Sequence, residues 1–248
     1  MTLRVLLLGG TAEARALAGE LVGRPDLAVV SSLAGRVRNP ALPAGEVRIG
    51  GFGGADGLTD FLRASRVAAV VDATHPFAST MSASAVAATA RAGVPLLVLR
   101  RPGWQPAEGD RWHWVSTLAD AADELGGLGE RVFLTTGRTG LGTFAGLDRH
   151  WFLVRTVDPP EPPMPARMHL VLDRGPYTVA GERALITEHG IDVLVTKDSG
   201  GEWTRPKLVA ARELGVPVVI QARPLISGAP SVDTVPEAVS WLDRMLGS

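Results

Sequence analysis

The sequence predicts an α/β protein organised as two successive strand-and-helix domains, and three observations carry that reading. Short apolar runs rich in branched side chains alternate with amphipathic helical patterns, as expected of parallel strands covered on both faces by crossover helices. The first run, in Arg4-Val-Leu-Leu-Leu-Gly-Gly-Thr-Ala-Glu-Ala-Arg15, stops at a glycine pair and becomes a helix. A turn-rich stretch from Gly103 to Asp110 then separates this series from a second one, which places the domain division between 1–102 and 103–248.

Val5 to Leu8 form the first buried strand. Gly9 and Gly10 let the backbone turn tightly and let a ligand approach without a Cβ in the way. After Thr11, residues Ala14, Leu17, Ala18 and Leu21 recur at helical spacing and give one apolar face. The free N–H groups of that helix's first turn, with its dipole, suit a diphosphate above Gly10. The pattern is not G-x-G-x-x-G, because Thr11 and Ala14 hold the second and third glycine slots and Glu13 brings a carboxylate near the expected anion. A glycine turn with nothing bound is the competing reading.

Leu27 to Val30 read as the second strand, with Ser31 to Arg36 as the loop at its end. Dinucleotide folds selective for NAD carry an acid here; this loop offers Ser31, Ser32 and Arg36, which suit a 2′-phosphate and argue for NADP. Glu46 to Gly50 is a short strand before the glycine-dense loop Gly51-Phe-Gly-Gly54, where Phe52 either lies against a cofactor ring or plugs the core below the turn. Leu58, Phe61 and Leu62 form a helix face, and Val67 to Val71 another buried strand. That strand ends in Asp72-Ala-Thr-His-Pro-Phe77, where ligands of open α/β sheets bind. His75 there could donate a hydrogen bond or a proton, and Asp72 could orient it or cap the next helix. A small-residue helix from about Ala78 to Ala92 and the strand Val94 to Leu99 follow, ending in Arg100-Arg-Pro-Gly-Trp104.

In the second half, strands are expected at Arg131 to Thr135, Trp151 to Val157, Met168 to Leu172, Asp192 to Val195 and Pro217 to Ile220. Helices are expected at Tyr177 to Glu188, near Pro206 to Leu214 and near Val235 to Met245. Prolines 159, 160, 162, 163 and 165 make a stiff connection that cannot be helix interior. Two strand-end loops carry cations, Thr136-Gly-Arg138 and Thr196-Lys-Asp-Ser-Gly-Gly201, so Arg138 and Lys197, near Ser199, could form an anion-binding rim. Only Lys197 and Lys207 are lysines; the other 23 of 25 basic residues are arginines.

The bulk composition narrows the function classes. With 25 basic and 26 acidic residues the net charge is −1, so nothing global draws the chain to nucleic acid or to an anionic membrane. The absence of cysteine removes disulfides, thiolate nucleophiles and iron–sulfur ligation. Histidines 75, 113, 150, 169 and 189 show no metal-binding spacing, so no metal is expected. No apolar run approaches a membrane span and the N-terminal one is too short for a signal peptide, which reads as a cytoplasmic protein.

Taken in order, Gly9 to Arg15, Ser32 to Arg36, Gly50 to Gly54, Asp72 to Ala78, Arg101 to Trp104, Leu134 to Arg138 and Thr196 to Gly201 resemble the precorrin-6A reductases of cobalamin biosynthesis over nearly the whole chain. The resemblance implies two Rossmann-like parallel-sheet domains with a cleft between them for NADPH and the tetrapyrrole, and reduction of one ring double bond to give precorrin-6B. It implies that Gly9, Gly10, Thr11, Ala12 and Glu13 hold the diphosphate and that Ser32 and Arg36, with Ser31 beside them, take the 2′-phosphate. Gly51, Phe52 and Gly53, with Thr74, His75 and Pro76, would flank ribose and nicotinamide. Arg101, Arg138, Lys197 and Ser199 would face the substrate's carboxylates. For the proton the candidates are His75, Lys197 and Asp198, or a water they hold. The tetrapyrrole is then the small-molecule partner, with transient hand-over from neighbouring pathway enzymes. Three alternatives stand beside this: a cobalt-precorrin-6A reductase, a non-catalytic NADP-binding sensor, and a nucleotide-sugar transferase.

Overall fold

The computed structural model describes residues 2–35 and 41–247, and the chain divides into two compact units. Residues 1–102 and 224–248 form the first, and 103–223 the second.

The first unit begins with β1 (Leu3–Leu8), α1 (Ala12–Leu21), β2 (Leu27–Leu33), β3 (Glu46–Ile49), α2 (Gly54–Ala64), β4 (Val67–Asp72), α3 (Ser79–Ala92) and β5 (Leu96–Leu99). The second unit holds β6 (Trp112–Val115), α4 (Leu118–Glu124), β7 (Arg131–Leu134), β8 (Trp151–Thr156), β9 (Met168–Leu172), α5 (Val179–Glu188), β10 (Val193–Lys197), α6 (Pro206–Glu213) and β11 (Val218–Gln221). The chain then returns to the first unit with β12 (Ser231–Val232) and α7 (Val235–Leu246).

Each unit is one parallel six-stranded sheet, in the order β3-β2-β1-β4-β5-β12 in the first and β6-β11-β10-β7-β8-β9 in the second. The alternation of each central strand explains the layers. Val5 and Leu7 face α1 and α7, while Leu6 and Leu8 face α2 and α3, and all four are buried. In the second unit Val132 and Leu134 pack with Ala121, Leu141 and Phe144, while Phe133 packs with Ile186, Leu208 and Ala211 on the other face. The two-sided apolar strands of the sequence are therefore central strands of Rossmann-like sheets.

The sequence expectation lacked β6 and α4, and it ended β10 at Val195 where the strand runs on to Lys197; two further boundaries also differ. Residues 224–248, read with the second domain, belong to the first. β12 pairs parallel with β5, and α7 buries Ala238 and Leu242 against the α1 side of the sheet. The helix pattern was visible at 235–245, but its destination depends on a two-residue strand with no periodicity of its own. Likewise β2 runs on to Leu33, so Ser31 and Ser32 are strand residues. They lie in register with Leu7 and Leu8 on one side and Val47 and Arg48 on the other, and ladder pairing on both edges overrides the serines' turn preference.

Candidate functional site

In the first sheet, strand order reverses between β1 and β4, so the loops leaving these two strands flank the crevice where open α/β sheets bind ligands. Both loops carry expected site residues. They are tied together: the Thr11 hydroxyl donates to the Ala73 carbonyl at 2.8 Å, and the Ala73 N–H to the Leu8 carbonyl at 2.9 Å.

The two glycines of the first turn do different things. A Cβ on Gly9 would sit in ordinary contact with Leu33 Cδ2 at 3.4 Å and Ala14 Cβ at 3.5 Å, so Gly9 lies where α1 and β2 meet β1. Gly10 has φ +122°, and a Cβ there would meet nothing within 4 Å. Its role is the left-handed backbone and the open space above it. Thr11 caps α1, accepting from Ala14 N–H at 3.1 Å. The N–H groups of Ala12 and Glu13 are then first-turn donors that no carbonyl of the helix can reach.

Glu13 does not meet an anion alone. Arg101 Nη1 lies 2.5 Å from Glu13 Oε2, both side chains being largely buried. Arg101, expected at the substrate, thus sits beside the turn at residues 9–13 of its own unit and offsets the charge of the carboxylate expected near a phosphate.

Ser31 is buried, and its Oγ has no hydrogen-bond partner among the described residues. It lines a narrow recess with Gly9, Gly10, Ala14, Leu33 and Pro43. A buried hydroxyl without a partner beside an open helix N-terminus fits the ribose phosphate end of a dinucleotide, since such groups otherwise carry an unmade hydrogen bond. Ser32 is buried too, and its carbonyl accepts from the Gly9 N–H at 2.9 Å. Arg36 lies outside the described residues.

The loops leaving β3 and β4 carry the other expected residues of this unit. Phe52 packs edge-on to Phe61, with ring centroids 5.2 Å apart, and the Arg48 guanidinium lies 4.0 Å above its ring. Phe52 is therefore a plug below the turn. Arg48 also donates to the Gly50 and Gly51 carbonyls, a role that sequence reasoning missed. Gly53 takes a left-handed conformation at the start of α2. Asp72 neither orients His75 nor caps α3: it accepts from the Thr74 N–H and hydroxyl through Oδ1, and from Ser82 through Oδ2 at 2.6 Å. His75 is exposed and its Nδ1 accepts from the Phe77 N–H at 3.3 Å, which leaves Nε2 to carry the proton of the neutral ring. Pro76 is buried, and its carbonyl accepts from Arg100.

The second sheet has its own reversal of order, between β7 and β10. The loops leaving those strands are Thr135 to Arg138 and Asp198 to Gly201, so the structure places Arg138, Lys197 and Ser199 at the crevice of this unit. Lys197 ends β10, and burial lowers its pKa. Asp198 is a fastener. Its Oδ1 accepts from the Trp104 N–H at 3.0 Å, and its Oδ2 lies 3.0 Å from Arg223 Nε, which also donates to the Asp198 carbonyl. A Cβ on Gly103 would fall 2.5 Å from Asp198 Oδ2, so glycine is needed there. Ser199 Oγ is 3.0 Å from Thr204 Oγ1, and Thr204 donates to the Gly201 carbonyl.

Beneath this loop lies a charged cluster that the sequence expectations did not include. Arg155 Nη2 is 2.8 Å from Glu182 Oε1, with both side chains buried; the contact misses hydrogen-bond alignment, so both carboxylate oxygens lack a formal donor among the described residues. The Tyr177 ring centroid lies 3.7 Å from the Arg155 guanidinium. Lys207, also buried, donates to the Thr204 carbonyl at 2.8 Å. Burial pushes its pKa down to about 7, with Arg155 adding to the effect and Glu182 opposing it. The lysine stood out in composition, but nothing in its spacing signalled burial. Among the described residues no group of three or more His, Asp or Glu could hold a metal, and no helix is long and apolar enough to cross a membrane.

Comparison with known proteins gives a consistent result. The family model described as precorrin-6x reductase CbiJ/CobK matches residues 4–243. A precorrin-6A reductase from Rhodococcus erythropolis is 56% identical over 243 residues, covering 98% of each chain. A solved structure titled CobK precorrin-6A reductase superposes with a TM-score of 0.91 at 43% identity, covering 99% of this chain and 97% of the other. A cobalt-precorrin-6A reductase from Priestia megaterium is 31% identical over 250 residues, covering 96% of this chain and 97% of that one.

Proposed function

Because the chain belongs to the precorrin-6x reductase CbiJ/CobK family, we propose that it reduces one ring double bond of precorrin-6A with NADPH, giving precorrin-6B in cobalamin biosynthesis. The observation that carries the cofactor part is the open turn at Gly10 beside the buried Ser31 hydroxyl, which has no hydrogen-bond partner among the described residues, at the reversal of strand order. The metal-free substrate is preferred to the cobalt-bearing one because the relative of that name is far more similar.

On this reading the first unit binds the cofactor. The N–H groups of Ala12 and Glu13, over Gly9, Gly10 and the Thr11 cap, hold the diphosphate. Arg101 cancels the Glu13 charge that would repel it. Ser31, Ser32 and Arg36 take the 2′-phosphate. Gly51 and Gly53 leave room for the ribose, with Phe52 supporting them from below, and Thr74, His75 and Pro76 bound the nicotinamide.

When bound, the nicotinamide supplies the hydride, and the neighbouring carbon takes a proton, so the product carries two more hydrogens than the substrate. The protein's share is position and charge. In the second unit Arg138, Lys197 and Ser199 face substrate carboxylates, and the fastened Asp198 keeps their loop in shape. The proton comes from Lys197 or His75, directly or through water. Burial brings the Lys197 ammonium nearer the range in which it can give up a proton. Asp198 is the weakest of the three candidates, since its oxygens are engaged by Trp104 and Arg223.

The test is isotopic. NADPH deuterated at nicotinamide C4, on the transferred face, should deliver one deuterium to a ring carbon of precorrin-6A, and the second new hydrogen should come from solvent. Deuterium found only in solvent, or a product with no added hydrogen, would overturn the reading.

A further inference from the structure

Lys207 lies outside every role assigned above, yet it closes a clamp on the loop that carries Ser199. The loop is held at both ends by one residue. Trp104 gives its N–H to the Asp198 carboxylate at 3.0 Å, and its ring centroid lies 4.8 Å from the Lys207 ammonium. The ammonium donates to the Thr204 carbonyl at 2.8 Å, at the end of the short turn Glu202–Thr204. Thr204 in turn bonds Ser199 and the Gly201 carbonyl through its hydroxyl. The path from Lys207 to Ser199 is therefore two hydrogen bonds long, passing through one residue.

An ammonium in this place is costly. Lys207 is 3% exposed, and an apolar side chain of the same length would fill the site without desolvating a charge. Hydrophobic packing alone gives no reason for a lysine. The four-atom apolar chain of methionine could fill the space of the lysine's four methylenes, whereas only the lysine's amino group can donate to the Thr204 carbonyl. The facing charges are Arg155 from β8 and Glu182 from α5, already in contact with each other, so Lys207 does not complete that pair.

We propose that Lys207 is a positioning residue for the substrate-binding loop: through Thr204 it fixes the turn that presents Ser199, with Lys197 two residues before it, to a carboxylate of the substrate. The proposal rests on the reading of that loop given above. It predicts a loss in substrate binding without a matching loss in chemistry or in cofactor binding.

The experiment compares wild type with Lys207→Met, Lys207→Arg, Thr204→Ala and the Lys207→Met/Thr204→Ala double variant, with precorrin-6A and NADPH as substrates. Lys207→Met should raise KM for precorrin-6A about tenfold, the loss of one buried hydrogen bond to the turn. Its kcat and its Kd for NADPH should stay close to wild type. Lys207→Arg, which restores a donor, should recover part of the loss. Thr204→Ala, at a partly exposed position, tests the same path without touching the buried lysine. The double variant should be no worse than the poorer single one, because both act through one turn. Unchanged KM in Lys207→Met and Thr204→Ala would overturn the proposal. So would a fall in kcat equal to the fall in kcat/KM, or a double variant whose losses simply add. If wild type itself does not turn over precorrin-6A, the functional reading fails instead; Lys207→Met still distinguishes the two, through KM for whichever tetrapyrrole is reduced.

Discussion

Replacing Lys207 by methionine should change how the protein's stability responds to pH, in a direction fixed by the burial of one ammonium. The pKa of Lys207 falls from 10.5 to about 7, chiefly because burial disfavours the charged form. Between those two values the unfolded chain holds a proton that the folded chain has released. The unfolded state then binds more protons, so stability rises with pH across this window. Below pH 7 both states are protonated and the full penalty stands, about 5 kcal/mol at roughly 1.4 kcal/mol per pH unit. Above 10.5 both are neutral and it vanishes. From about pH 6 to about pH 9 the wild type should therefore gain roughly 2–3 kcal/mol relative to Lys207→Met. The assay is urea unfolding of both proteins at the two pH values. Taking their difference cancels every titrating group they share. The variant should be at least as stable as wild type near pH 6, with the advantage shrinking or reversing near pH 9. A difference that stays constant within about 0.5 kcal/mol would refute the burial argument, because an exposed lysine has no such linkage.

Three further outcomes follow from the first unit. Gly10→Val should weaken NADPH binding at least about tenfold, because φ +122° is strained for a branched residue and its side chain would occupy the space above the turn; a titration by cofactor fluorescence checks it. Arg101→Gln should raise the NADPH Kd about tenfold by leaving the Glu13 carboxylate uncompensated, and Glu13→Gln in the same chain should restore most of it; an effect on substrate KM alone would return Arg101 to the substrate. Leu242→Ala should cost about 2–5 kcal/mol in urea unfolding, since Leu242 is fully buried in the core it shares with Leu17 and Leu21; a cost near zero would detach α7 from the first unit.

What the sequence could disclose follows from how local each signal is. The β1 turn was legible because a buried strand, two glycines and a helical stripe are contiguous, and each is dictated by its own residues. The strand-end loops at His75, Arg138 and Lys197 were legible for the same reason, once placed at the ends of apolar runs. Ser31 and Ser32 were misplaced because serine reads as loop, whereas their pairing with β1 and β3 is a tertiary fact. The return of 224–248 to the first unit was hidden because β12 is two residues long. The pairings of Arg101 with Glu13 and of Trp104 with Asp198 were out of reach: the first joins residues 88 positions apart and the second 94, and neither partner's neighbourhood announces the other. Lys207 was visible only as a rare residue type, since burial of a charge follows from packing of α6 and cannot be seen in its spacing.

The central claim is that an NADPH site of the first unit serves the reduction of a metal-free tetrapyrrole. Its most direct test is the loss of NADPH absorbance when the purified protein is mixed with precorrin-6A, with NADH and with the cobalt-bearing substrate in parallel. Stoichiometric consumption of NADPH with precorrin-6A, and far slower reaction in both parallels, is the predicted result. Tight NADPH binding with no consumption by either tetrapyrrole would contradict the account and make the protein a sensor of the cofactor.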